Sequence, residues 1–209
     1  IDKHFALKSR GRGAELEYRP WKAVRLGPQI RYRSGRESDG DDPVDRLEEV
    51  DDALEVGAFI GGGVPVKLLG IDDPAVLSAR IDVLQDVAGG HDGMIYEATL
   101  GVGRKLSETW RLGARASAVY GDGDFMSAFY DVTPEGAAAS GLDRFDAEAG
   151  WQSVQVGLGL TYRFAENWTA GASIGLRSLV GDAASSPVTE EDGDKEQIFL
   201  GFIVRYRVF

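Results

Sequence analysis

The chain has 209 residues, no cysteine, 28 glycines, 7 prolines and a net charge of −11, enough for one sizeable domain. The missing cysteines exclude a disulfide framework and thiolate metal sites, and the acidic balance excludes a nucleic-acid partner, whose affinity would come mostly from a basic stripe. No run approaches the roughly 20 apolar residues of a membrane helix, but that test does not reach a β-barrel, whose strands of about 9–11 residues are apolar only at alternate positions.

Nine segments alternate with period 2, the spacing at which strand side chains share a face. Phe5 to Arg19 sets Ala14, Leu16 and Tyr18 against Glu15, Glu17 and Arg19, and Lys22 to Ser34 sets Val24, Leu26, Ile30 and Tyr32 against Arg25, Gln29, Arg31 and Arg33. Asp51 to Val66 carries Leu54, Val56, Ala58 and Ile60 opposite Glu55, and Ala75 to Ala88 carries Leu77, Ala79, Ile81 and Val83 opposite Arg80 and Asp82. A fifth strand from Met94 opposes Tyr96, Ala98, Leu100 and Val102 to Glu97, and a sixth from Trp110 opposes Leu112 and Ala114 to Arg111 and Arg115. Val154 to Tyr162 is followed by Arg163, and Trp168 to Leu176 by Arg177. The last segment, Gln197 to Phe209, puts Leu200, Phe202, Val204, Tyr206 and Val208 on one side and Gly201, Ile203, Arg205 and Arg207 on the other.

The connections separate a membrane barrel from a soluble sandwich. Short links at Arg19–Lys22, Ser107–Thr109 and Ala165–Asn167 fall at one end, and long ones at Gly35–Val50, Gly121–Gly150 and Gly181–Glu196 fall at the other. Outer-membrane barrels sort short periplasmic turns from longer extracellular loops in this way. Lys67–Pro74 and His91-Asp92-Gly93 fit the sorting less well. Tyr18, Trp21, Trp110, Tyr162, Trp168 and Tyr206 all fall beside the short turns, where amphipathic rings would form a periplasmic aromatic girdle. The expected fold is an all-β, transmembrane, antiparallel up-and-down barrel, one domain over residues 1–209, of about 10–12 strands when complete. Because single-chain barrels usually have an even strand number, nine strands predict at least one more before Ile1.

Four stretches carry a family resemblance: 26–36 (LGPQIRYRSGR), 51–59 (DDALEVGAF), 86–93 (DVAGGHDG) and 179–187 (LVGDAASSP). With them the whole chain resembles the MipA/OmpV family of outer-membrane proteins, the MltA-interacting proteins of Gram-negative bacteria. The resemblance implies residence in the bacterial outer membrane among lipids and lipopolysaccharide. It also implies a scaffold that joins a lytic transglycosylase to a peptidoglycan synthase, and other members are porin-like or adhesive. It brings no catalytic or binding motif. The family's first strands are absent here, and Phe209 falls on the lumen-facing parity rather than beside Tyr206 and Val208.

The charged face predicts the lumen lining: Arg25, Arg31, Arg33, Glu55, Arg80, Asp82, Glu97, Arg111, Arg115, Arg163, Arg177, Arg205 and Arg207. Unpaired charges in such surroundings are costly, so cross-strand pairs such as Arg31 with Glu55 favour a packed polar interior over a narrow anion-leaning channel. The acidic stretch Glu37 to Asp52 matches no EF-hand spacing and is expected to be a solvated loop, as is Thr189 to Glu196. Phe125, Phe129 and Tyr130 suit either a surface contact or packing over the barrel mouth. His4 and His91 are the only histidines, too far apart for a zinc motif, and His91-Asp92-Gly93 is accounted for as a turn. No catalytic group, metal site or cofactor fingerprint is predicted. The expected function is a non-catalytic outer-membrane scaffold for peptidoglycan enzymes, with the turn from Val66 to Asp73 as its handle, against a small arginine-lined porin or a surface adhesin.

Overall fold

A computed structural model describes residues 4–37, 42–67, 74–192 and 194–207. Ten strands form one antiparallel sheet in strict sequence order: β1 (Phe5–Arg10), β2 (Gly13–Trp21), β3 (Val24–Arg33), β4 (Ala53–Val66), β5 (Ala75–Asp86), β6 (Met94–Lys105), β7 (Trp110–Gly121), β8 (Gly150–Arg163), β9 (Trp168–Leu179) and β10 (Glu196–Tyr206). Each pairs with its sequence neighbours, and among the described residues β1 and β10 do not pair with each other. The tenth strand corrects the expectation of nine. Phe5 to Arg19 is a tight hairpin that turns at Gly11 and Arg12, with Gly11 at φ +57°. Period 2 resumes in register after a two-residue turn, so alternation runs through it unbroken. The count of nine from which parity asked for a preceding strand is therefore replaced by an even number. Val208 and Phe209, on which the parity of the chain's end was argued, lie outside the described residues, as does most of the Val66–Asp73 turn.

The sheet curls inward. Arg80 Nη2 on β5 lies 2.8 Å from Glu15 Oε2 on β2, although three strand spacings would hold them about 14 Å apart in a flat sheet. The two faces invert the usual distribution. Glu17 and Glu55 are 1% and 0% exposed, whereas Leu200 and Phe202 are 67% and 79% exposed. On the outer face, Leu112, Ala114 and Ala116 of β7 adjoin Leu160, Leu158 and Val156 of β8, and no charge interrupts them. An apolar band around a polar interior is the pattern of a transmembrane barrel wall, where lipid rather than protein covers the greasy side.

The long connections are not simple loops. They hold a 3₁₀ turn (Pro43–Arg46) and four helices: α1 (Gly123–Tyr130), α2 (Pro134–Ser140), α3 (Asp182–Ser185) and α4 (Pro187–Asp192). The Asp122 carboxylate accepts the Phe125 N–H to start α1, and Thr133 Oγ1 accepts the Gly136 N–H to start α2. These elements build two apolar clusters. One joins Phe125, Met126 and Ala183 to the strand residues Ile95 and Leu179, and the other packs Val44 and Leu47 against Val132 and Val188. Two expectations are corrected here: the acidic stretch sends Val44 and Leu47 into the second cluster, and Thr189, read as loop, lies 9% exposed in α4. Residues 38–41, with Asp39 and Asp41, are outside the described part.

Candidate functional site

Antiparallel register brings several of the predicted charges together in groups. Glu55 accepts from Arg31 Nε and from Arg33 Nε (2.6 Å), while His91 Nε2 stands 3.3 Å away. The Gly93 N–H donates to His91 Nδ1 at 3.1 Å, which leaves Nε2 as the hydrogen-bearing nitrogen facing the carboxylate. Arg31 Nη1 also reaches Glu97 at 3.6 Å. In the second group Arg80 donates from Nε and Nη2 to Asp82 at 2.9 and 2.7 Å and from Nη2 to Gln29 Oε1 at 3.2 Å. Its guanidinium lies 3.8 Å above the Phe59 ring. A third group centres on Glu17, held by Lys8 Nζ and Arg19 Nε at 2.5 Å each. Burying such charges is tolerable because Glu55, Asp82 and Glu17 each meet guanidinium or ammonium donors at hydrogen-bond distance.

Not every predicted residue joins these groups. Arg25 stands opposite Gly61 with no carboxylate within ion-pair distance among the described residues. Arg177 donates to Gln152 Oε1 at 3.0 Å, and Arg163 to the Glu108 carbonyl at 2.9 Å. Arg115 lies 6.0 Å from the Phe199 ring. Arg111 and Arg205 are exposed and unpaired among the described residues, and Arg207 follows the end of β10 with its backbone N–H on the Asn167 carbonyl.

Sequence reasoning missed His91 as more than a turn residue. Its ring is buried between Glu55 and the rings of Phe125 and Phe129, at centroid distances of 5.1 and 5.9 Å. The signal was available in its place beside the Asp86 carboxylate, which accepts the backbone N–H groups of Ala88, His91 and Asp92. Above this cluster the helices close over the inner face. Arg36 Nη1 donates to the Phe129 carbonyl (3.2 Å), Thr133 Oγ1 to Glu48 (2.7 Å), and Ser186 Oγ to the Tyr130 carbonyl (2.6 Å). Three separate connections are thereby tied into one cap. Phe125 and Tyr130 are buried in it, and burial pushes the Tyr130 phenol above its usual range.

The aromatic residues form two rows on the outer face. At the short-turn end Trp110 stacks on Tyr162 at 4.5 Å, Trp168 meets Tyr206 at 4.8 Å and Phe5 meets Tyr18 at 4.9 Å, with Trp21 exposed beside them. At the capped end Tyr120 packs against Tyr96 and Trp151 at 6.1 and 5.6 Å. This second row was not read from the sequence because a bulge between Val119 and Tyr120 pairing shifts β8 by one residue, turning odd-numbered Trp151 outward. From Trp110 to Tyr120 the strand rises roughly 33 Å, or roughly 25 Å along the membrane normal at the usual tilt, the height of a barrel's apolar band.

The sequence profile of the family described as MltA-interacting protein MipA matches residues 2–208. No curated protein matches the chain. Among solved structures it is similar to in-vitro folded OmpT, an outer membrane protein of Vibrio cholerae, at 15% identity and a TM-score of 0.44 over 93% of this chain and 54% of that one. Outer-membrane expressed OmpT of Vibrio cholerae gives 14% identity and a TM-score of 0.40 over 93% and 55%. The chain thus spans about half the length of these structures.

Proposed function

The chain belongs to the MipA family of MltA-interacting proteins, and we propose that it is a non-catalytic outer-membrane scaffold that joins the lytic transglycosylase MltA to a peptidoglycan synthase at the periplasmic side of the membrane. The observation that carries the location is the inverted wall, with ion pairs inside and an uncharged band between two aromatic rows outside. The family match over nearly the whole chain supports the partner. Against a porin stands the cap, whose apolar cluster of Ile95, Phe125, Met126 and Leu179 lies across the inner face. Against an adhesin stands the burial of Phe125 and Tyr130, the rings such a surface would have offered. Lipid and lipopolysaccharide are the proposed surroundings of the outer face.

The test is retention of purified MltA on lipid nanodiscs carrying this protein. Binding above protein-free discs, with no steady ohmic current in planar bilayers, is the expected result. Equal recovery from both discs sinks the scaffold assignment, and a steady current moves the assignment to a channel.

A further inference from the structure

The inner face divides into two unlike halves. Across β2–β5 the guanidiniums of Arg31, Arg33 and Arg80 meet carboxylates. Across β6–β10 the strands' only inward carboxylate is Glu97, 3.6 Å from Arg31 of the other half. Lys105, Arg111 and Arg115 there have no carboxylate within ion-pair distance among the described residues, and Lys105 and Arg111 are direct cross-strand partners. Like charges so placed repel, all three side chains are exposed and reachable, and the wall itself supplies them no counter-charge.

The same region has a built shape. Register aligns Gly103, Gly113, Gly159, Ser173 and Gly201 in one row straight across β6–β10. This row carries no side chain larger than serine and runs roughly 19 Å over four strand spacings. Packing does not demand the first three of these glycines, whereas a Cβ at Gly201 would press on Ser173 Oγ at 2.7 Å. A Cβ added at Gly103, Gly113 or Gly159 would meet nothing nearer than 3.7, 3.6 and 3.8 Å respectively, which is ordinary contact. By contrast, Gly175 in the next row is held bare by the Phe199 ring, 2.1 Å from its added Cβ. The row is thus a trough with room above its floor. Arg115 and Phe199 stand along the edge toward the cap, and Lys105 and Arg111 along the edge toward the short turns.

We propose that this trough binds an extended oxyanion chain, an oligomer bearing carboxylate or phosphate groups along its length, which lies over the glycine floor between Arg115 and the Lys105–Arg111 pair. Guanidinium groups suit both anions because their paired N–H donors match two oxygens at once. A multiply charged chain reaches both edges, which are four residues, or roughly 13 Å, apart on β7. The helices of the cap lie beyond the Arg115 edge, so among the described residues the short-turn edge is the one without a cover of helices.

Calorimetric titration of the full chain in zwitterionic micelles tests the assignment with hexagalacturonate, tripolyphosphate and neutral maltohexaose. At least one anion should bind, maltohexaose should not, and the stronger anion identifies carboxylate or phosphate as the natural group. Gly113→Leu fills the trough without touching a charge, and Arg111→Gln with Arg115→Gln removes two cations. Each should weaken binding at least tenfold while far-ultraviolet circular dichroism is retained. Gly159→Leu replaces Gly113→Leu if that variant loses its β-sheet signal. Absence of binding by both anions, equal binding of maltohexaose, or unchanged affinity in the trough-filling variant overturns the proposal.

Discussion

Glu55 shows how a charge is kept inside this wall: its carboxylate is fully buried, with Arg31, Arg33 and His91 converging on it. Removing the acid strands two guanidiniums, and breaking a buried pair in this way costs about 3–5 kcal/mol. Glu55→Ala should therefore lower the unfolding free energy that a urea titration of the lipid-reconstituted protein yields by that amount, whereas Glu55→Gln, which keeps an acceptor, should lose less. A second carboxylate, Asp52, lies outside the strands. The Tyr32 hydroxyl, then the Gly35 N–H, hold it below its ordinary range. A depressed acid stabilises where it is ionised, so its contribution is complete above about pH 4 and is lost as pH falls through the lower folded value. Exchange protection of the Gly35 amide should decline on that acid limb, and Asp52→Asn should remove the pH dependence.

Among the elements, the cap illustrates what packing adds to propensity. Helices of four to eight residues are too short to be stable in isolation, and they persist because Phe125, Met126 and Ala183 share a dry cluster with strand residues Ile95 and Leu179. Phe125→Ala should cost about 3–5 kcal/mol, as large-to-small changes in cores do. Asp122→Ala, which removes the α1 cap and also an acceptor for the Met94 N–H, should cost about 1 kcal/mol or more. Hydrogen exchange should report both losses over residues 123–147 and leave the centre of β7 unchanged. Loss of protection along β7 as well would mean that cap and wall unfold as one unit.

For the whole molecule, the decisive property is which face meets lipid. Val156 lies midway between the aromatic rows and Leu160 lies close to Tyr162, both facing out. Arginine on the lipid face of a barrel costs about 2–4 kcal/mol at the midplane and falls toward zero near the interface. Val156→Arg should thus destabilise the folded protein in vesicles much more than Leu160→Arg. Equal costs would mean that this face is not in hydrocarbon. The same environment requires hydrogen-bonding partners for the outer edges of β1 and β10, since a bare strand edge is not tolerated in lipid.

Alternation by itself was enough to determine the direction of most side chains, the sidedness of the loops and the place of Trp110, Tyr162 and Trp168 beside the short turns. Side-chain direction on a strand is a local property with period 2, so it is written along the chain. The family resemblance was legible for a related reason, in contiguous stretches such as 26–36. What needed the tertiary structure was everything set by a neighbour. The hairpin at Gly11 hid inside an unbroken pattern, the bulge beside Tyr120 turned Trp151 outward, and helices shorter than the window of a helical repeat left no trace. The difference between arginines that meet Glu55 or Asp82 and those, such as Arg111 and Arg115, that flank the glycine row was likewise invisible. Pairing depends on register and on the curl of the sheet, which bring residues dozens of positions apart within hydrogen-bond reach. No single stretch of sequence carries that information.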